Sequence, residues 1–270
     1  MKPTNFSGLR NAVITGGSSG LGLAMAELLV QQGCRAILIA RDAQKLAQAV
    51  AALDPQQSRC VGFQGDVTSV ADMERIAADV RAAYGAVDFL FVNASDLHVN
   101  LVAESSYAHL KQDLESGLWG AIVTAKSFLP CLRRPSRIVF VSSALGLMGL
   151  AGYGAYGAAK AGMLNFAETL RREVQAQGIA VSVVCPSDID TPQYRTEQQT
   201  KPAWMQTTRE LRGAPMPAPV AARKILQKCR KGRFFITISP DVFFLALVTK
   251  ILPRRLRDLL LDALFPRPIS

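Results

Sequence analysis

A chain of 270 residues, 49% hydrophobic and 19% charged, has apolar material for one sizeable core and is accounted for by a single large domain. Its five cysteines are odd in number and lack any Cys-x-x-Cys spacing, which argues against a disulfide framework or a zinc site and for a reducing, cytoplasmic compartment. The net charge of +10 raises nucleic acid as a partner, yet eleven Lys or Arg against three Asp from Arg223 to Ser270 put +8 of it in the last segment. With no recognition helix or stacking platform beside that charge, no nucleic-acid partner is expected.

Met1 to Gly8 lacks the apolar stretch and small-residue cleavage site of a secretory signal, so export is not expected. Beyond it, apolar runs of strand length fall at 12–14, 36–40, 61–63, 89–92, 138–141, 181–184 and 234–238. Between them lie helical periods at 21–32, 43–53, 71–84, 107–132 and 154–177. This alternation predicts an α/β chain, one Rossmann-like doubly wound domain over 1–270 with a parallel sheet of about seven strands. The runs are nearly continuous in apolar character, as expected when helices cover both sheet faces. The segment 187–219, rich in Pro, Thr, Gln and Arg, follows the sixth strand, beyond whose carboxyl end ligands bind in such sheets, and is read as a substrate lid.

Residues 240–270 interleave apolar and basic side chains: Phe243 to Val248, Lys250, Ile251-Leu252, Arg254-Arg255-Leu256-Arg257 and Leu259 to Leu261. That pattern suits peripheral contact with a membrane surface. Its apolar runs fall far short of the ~20 residues needed to span a bilayer. Amphipathic core packing explains the same leucines equally well.

Directly after the first strand stands Thr15-Gly16-Gly17-Ser18-Ser19-Gly20-Leu21-Gly22, opening a helix. Glycines at a strand-to-helix turn admit positive φ and close phosphate approach, and the helix start supplies free N–H groups. Alone the loop is equally an ordinary turn; at the first βα junction it makes Gly16, Ser18, Ser19, Gly20 and Leu21 candidate cofactor contacts. At the end of the second strand, Arg41 would favour a ribose 2′-phosphate and Lys45 adds a second charge, so NADP(H) is expected over NAD(H). Asp42, which could reach the ribose itself, argues the other way.

After the fifth strand come Ser143 and then, four residues apart on one helix face, Tyr156 and Lys160. A phenol near pKa 10 is a poor acid or base at neutral pH, and an ammonium with the cofactor's positive ring would bring it toward the working range. Ser143 would hold the substrate oxygen, and Lys160 would also grip the nicotinamide ribose. By themselves, Tyr and Lys at this spacing are commonplace on exposed helices.

In their order, Thr15 to Gly22, Asp66-Val67, Asn93-Ala94-Ser95, Ser143, Tyr156/Lys160 and Pro186 through Thr191, these motifs resemble the short-chain dehydrogenase/reductase family over roughly residues 8–240. The resemblance implies that Asp66 and Val67 contact adenine, that Asn93 and Ala94 line the cofactor cleft, that Pro186 borders it, and that Ile189 and Thr191 hold the carboxamide. Two positions depart from the family pattern: Ser95 stands where a glycine is usual, and Gly117 where a helix asparagine supports a water-mediated proton relay. Catalysis is therefore expected to be retained but weakened.

Within the family, Asp188-Ile189-Asp190-Thr191-Pro192 followed by Thr200-Lys201-Pro202 is similar to the reductases of 3-ketodihydrosphingosine. The similarity implies NADPH-dependent reduction of a long-chain 3-keto sphingoid base or related α-amino ketone, with Asp188 pairing the 2-ammonium and the 240–270 segment taking the alkyl chain. Capping or turn roles for Asp188 and Asp190 are equally open. The alternatives are reduction of another lipophilic ketone, such as a 3-oxoacyl thioester or steroid, and a nucleotide-binding module with little turnover. A dimer or tetramer is expected through the long helices; His98 and His109, isolated in sequence, receive no ligand role.

Overall fold

The computed structural model describes residues 8–264 except 57, 203–204 and 206–213, so residues 1–7, part of the segment expected as a lid and the last six residues lie outside it. Seven parallel strands form one sheet in the order β3-β2-β1-β4-β5-β6-β9. They are β1 (Asn11–Thr15), β2 (Arg35–Ala40), β3 (Cys60–Gln64), β4 (Val87–Val92), β5 (Leu132–Val141), β6 (Ile179–Cys185) and β9 (Phe235–Thr237). Strands β1, β4 and β6 are buried at every residue, because helices cover both faces. On one face α1 (Gly20–Gln31), α2 (Ala43–Leu53) and α8 (Ala218–Arg230) place Met25, Leu29, Leu46 and Ile225 against the sheet. On the other, α3 (Val70–Tyr84), α5 (Gly120–Phe128) and α6 (Gly154–Val174) bring Met73, Phe128, Met163 and Leu170. The seven strands and this single α/β architecture match the sequence expectation.

Three elements differ from it. The helix expected over 107–132 is α4 (Tyr107–Leu114), a π-helical turn at Glu115–Trp119, α5 and a 3₁₀ turn at Leu129–Cys131, since Pro130 cannot extend an α-helix and Leu132 already pairs with Val87. Strand β5 is accordingly longer at its start than its apolar run, which begins only at Ile138. The lid is partly regular: β7 (Ile189–Asp190) pairs in parallel with β8 (Met216–Pro217), and α7 (Pro192–Thr200) opens with Thr191 capping the backbone N–H of Tyr194.

The C-terminal segment folds as α9 (Pro240–Ile251) and α10 (Arg254–Leu264). No helix among the described residues is long and apolar enough to cross a membrane. All five cysteines are buried and unpaired.

Candidate active site

At the nucleotide end, β1 delivers the glycine loop to the start of α1. Gly16 has φ +64 and lies so close to β4 that a Cβ there would sit 2.9 Å from Asn93 Nδ2, while a Cβ on Gly22 would lie 2.2 Å from the Gly16 carbonyl oxygen. Asn93 Nδ2 donates to the carbonyl of Thr15, and the backbone N–H groups of Asn93 and Ala94 both donate to Thr15 Oγ1. Thr15 thus ties the loop to Asn93-Ala94. Ser19 caps α1 in extended geometry without a side-chain bond to the helix, so the N–H groups of the first turn face the loop unclaimed by a cap. This backbone cradle fits a dinucleotide pyrophosphate, with Gly16, Ser18, Ser19, Gly20 and Leu21 as its rim; Leu21 and Asn93 also line the adjoining cavity.

At the ribose position, Arg41 Nη2 donates to Asp96 Oδ1 at 2.7 Å, and this bond raises the guanidinium's already high pKa. Lys45 lies 3.5 Å from Asp42, whose carboxylate caps α2 through the Lys45 N–H. Asp66 Oδ1 accepts from both the N–H and the hydroxyl of Thr68, the local turn-forming role, and buried Val67 packs on Gly120.

The catalytic candidates converge. Ser143 follows β5, and the segment behind it is pinned by the Ala144 N–H donating to the Pro186 carbonyl at 3.0 Å. The Ser143 hydroxyl accepts from the Leu145 N–H at 3.2 Å and lies near enough to the Tyr156 phenol to lower its pKa against burial. Lys160, only 2% exposed, donates from Nζ to the Val141 carbonyl at 3.0 Å and lies 5.4 Å from the centroid of the Tyr156 ring. Burial lowers the Lys160 pKa from 10.5 to about 8. Among the protein's own groups, burial raises the Tyr156 phenol's pKa most, followed by the carboxylates of Glu197, Asp113 and Asp188, with Ser143 opposing; no lowering by Lys160 is among them.

Histidines 98 and 109 are not isolated. Their rings stack with centroids 4.1 Å apart, and His98 Nδ1 lies 2.7 Å from Oδ1 of Asp113, a carboxyl group 2% exposed whose pKa burial raises. No cluster of three metal-ligating side chains occurs among the described residues.

A cavity of about 570 Å³ joins these groups to the lid and the C-terminal helices. Ser143, Tyr156, Lys160, Pro186, Asp188, Ile189 and Thr191 line its catalytic end, and Val242, Leu245, Val248, Leu260 and Leu261 line the other. Asp188 therefore faces the catalytic group, whereas Asp190 turns outward to pair with Arg195. From α7, Glu197 reaches into the cavity, accepts from the Tyr153 hydroxyl and pairs with Lys201 at 2.8 Å, a contact almost wholly out of water.

The short chain dehydrogenase family model matches residues 10–202. The chain belongs to the short chain dehydrogenase family. It is an oxidoreductase, 32% identical over 257 residues to a 3-dehydrosphinganine reductase of Danio rerio, covering 92% of this chain and 76% of that one. A 3-dehydrosphinganine reductase of Arabidopsis thaliana is 31% identical, with 89% and 74% covered. The 3-oxoacyl-[acyl-carrier-protein] reductase of Escherichia coli is 34% identical over 193 residues, 71% of this chain and 78% of that one. Among solved structures, a short-chain dehydrogenase from Streptomyces avermitilis superposes with TM-score 0.76 at 30% identity, covering 89% and 91%. A Burkholderia phymatum family member in complex with NAD matches in fold with TM-score 0.80 at 24% identity, covering 97% and 98%.

The position expected to carry the family's asparagine, Gly117, is closely packed. Gly117 sits in the π-helical turn, and a Cβ there would meet Ala159 Cβ at 3.0 Å and Ser95 Oγ at 3.2 Å. The neighbouring Ser116 hydroxyl is already engaged, accepting from the Asp96 N–H at 2.8 Å. Sequence reasoning also passed over Thr15 as a tether, Asp96, Asp113 and Glu197. Only Glu197 left a trace, its i,i+4 spacing to Lys201.

Proposed function

We propose that the protein reduces a long-chain 3-keto sphingoid base, or a related α-amino ketone, to the secondary alcohol with NADPH. The observation that carries this reading is the cavity. Its catalytic end holds a serine, a tyrosine, a lysine and Asp188, and its far end is walled by aliphatic side chains from α9 and α10. A ketone with an adjacent ammonium and an alkyl tail meets a matching group at each point. A nicotinamide cofactor held at the glycine loop would supply the hydride for the carbonyl carbon. Ser143 holds the carbonyl oxygen by hydrogen bond, and Tyr156 gives that oxygen its phenolic proton. The raised pKa makes the phenol a weaker acid, yet it stays more acidic than the alcohol formed from the substrate alkoxide, so the proton still passes to that oxygen. Lys160 would hold the nicotinamide ribose and replenish the phenol's proton. Arg41 and Lys45 are the cations proposed for the 2′-phosphate.

Similarity to a 3-oxoacyl reductase sustains a second reading, reduction of a neutral 3-oxoacyl thioester. Asp188 favours the first, because a carboxylate gains nothing from an uncharged neighbour and loses solvation beside it. NADPH oxidation followed with 3-ketodihydrosphingosine and, separately, with a 3-oxoacyl thioester decides between them; activity on the thioester alone would sink the sphingoid assignment.

Phe243, Leu247, Ile251, Leu256 and Leu259 are exposed on the side of α9 and α10 away from the cavity, beside Lys250, Arg254 and Arg255. We assign this face to peripheral contact with an anionic lipid surface at the cytoplasmic side, checked by co-sedimentation with vesicles containing and lacking phosphatidylserine. A homodimer or tetramer assembled through the long helices is read out by light scattering.

A further inference from the structure

The ion pair at the ribose position crosses the cofactor crevice. Arg41 follows β2, Asp96 follows β4, and β1 lies between these strands in the sheet. Two strand spacings are about 9–10 Å, so the Arg41 side chain reaches over the carboxyl end of β1, where an open α/β sheet binds its ligand. The aspartate is the fixed partner. Its Oδ2 accepts from Gln112 Nε2 at 3.0 Å, and its N–H donates to Ser116 Oγ at 2.8 Å, both from the α4 side. Its side chain is 20% exposed against 54% for Arg41. The second cation, Lys45, is also matched, by Asp42. A dianionic 2′-phosphate arriving here therefore meets a guanidinium already bound to a carboxylate.

We propose that Asp96 is a specificity-determining residue that restrains the preference for NADP(H) by competing with the cofactor's 2′-phosphate for Arg41. A 2′-hydroxyl carries no charge and makes no such claim, so NAD(H) binds with the Arg41–Asp96 pair intact. The phosphate has to separate the pair and settle near the carboxylate it displaced. This inference rests on the reading of Arg41 as the phosphate's partner.

The test is a fluorescence titration of NADPH and NADH against wild type, Asp96→Asn and Arg41→Ala, repeated calorimetrically with 2′,5′-ADP and 5′-ADP to isolate the adenosine end. Asparagine keeps an oxygen for Gln112 and the N–H for Ser116 while removing the charge. Losing one charge-assisted competitor is expected to tighten NADPH and 2′,5′-ADP about 5–10-fold, with NADH and 5′-ADP within about twofold. Asp96→Ser serves as a second variant, with thermal melting as the control for folding, and is expected to tighten NADPH in the same direction. Should Arg41→Ala abolish discrimination while both Asp96 variants leave NADPH binding unchanged or weaker, Asp96 plays no such part. A loss of NADH affinity in Asp96→Asn would make the carboxylate a ribose acceptor and equally overturn the proposal. If Arg41→Ala retains the wild-type ratio of NADPH to NADH affinity, the cofactor reading itself fails and takes this inference with it.

Discussion

The two ends of the cleft are built on different principles. At the cofactor end, recognition rests on backbone: a loop compressed until a Cβ on Gly22 would strike the Gly16 carbonyl, and a helix start whose N–H groups meet the loop. At the end proposed for the substrate the lining is side chains from β6 onward, with Asp188, Glu197, Val248 and Leu261 on one cavity because α7 and the last two helices border it. The first design is the cradle proposed for the dinucleotide. The second is free to vary without disturbing it, which is why the cofactor end reads as a family and the substrate end as one enzyme's selectivity.

Breaking the junction between the ends carries the largest effect. Tyr156→Phe removes the proton donor and is expected to lower kcat about 10³-fold or more while NADPH affinity changes less than about threefold. Retention of most turnover, measured as NADPH oxidation, would refute the mechanism. Next, Asp188→Asn should raise KM for the ammonium-bearing ketone about 10–100-fold, the worth of a charge-assisted bond, and leave a neutral ketone of equal length nearly unchanged. Equal losses on both substrates would make Asp188 a structural residue.

Chain-length dependence sharpens the contrast further. Leu261→Trp narrows the apolar end and should cost long-chain ketones about 10-fold in kcat/KM, short ones little, because each buried methylene contributes about 0.8 kcal/mol. A uniform loss would remove α10 from the substrate path.

The pH dependence follows from Lys160. With its pKa lowered to about 8, the ammonium is lost as pH rises through about 8, and kcat/KM for reduction should fall there. The stability change has the opposite sign. Between about 8 and the ordinary 10.5 the unfolded chain binds more protons than the folded one, so this group's contribution to stability rises with pH across that window and its penalty is fully present below it. Urea midpoints of wild type and Lys160→Met across the window would show the difference between them shrinking; a constant difference would place the amine in water. The smallest effect is at Gly117→Asn. The added side chain meets Ala159 and Ser95, so the family amide is expected not to raise turnover and to cost about 1–2 kcal/mol in stability. A several-fold gain in kcat would show that the missing amide does limit the enzyme.

What could be read without coordinates was whatever a short window contains. The seven strands announced themselves as apolar runs, the glycine loop as a turn between one of them and a helix, and Tyr156/Lys160 as one turn of one helix face. The start of β5 escaped because Arg133, Arg134 and Pro135 carry no strand signature, and the π-turn because it differs from an α-helix in backbone hydrogen bonding, which side-chain periodicity does not reveal.

The linear chain by itself determined the strands and the glycine loop and offered Tyr156 and Lys160 as candidates on one helix face, since each depends on periodicity or spacing within a few residues. Tertiary structure alone decided that Arg41 meets Asp96, that His98 meets Asp113, that Asp188 faces the cavity while Asp190 does not, and that α9 and α10 wall the far end. These pairings join residues whose separation along the chain says nothing of their distance in space, and burial and charge act over that distance.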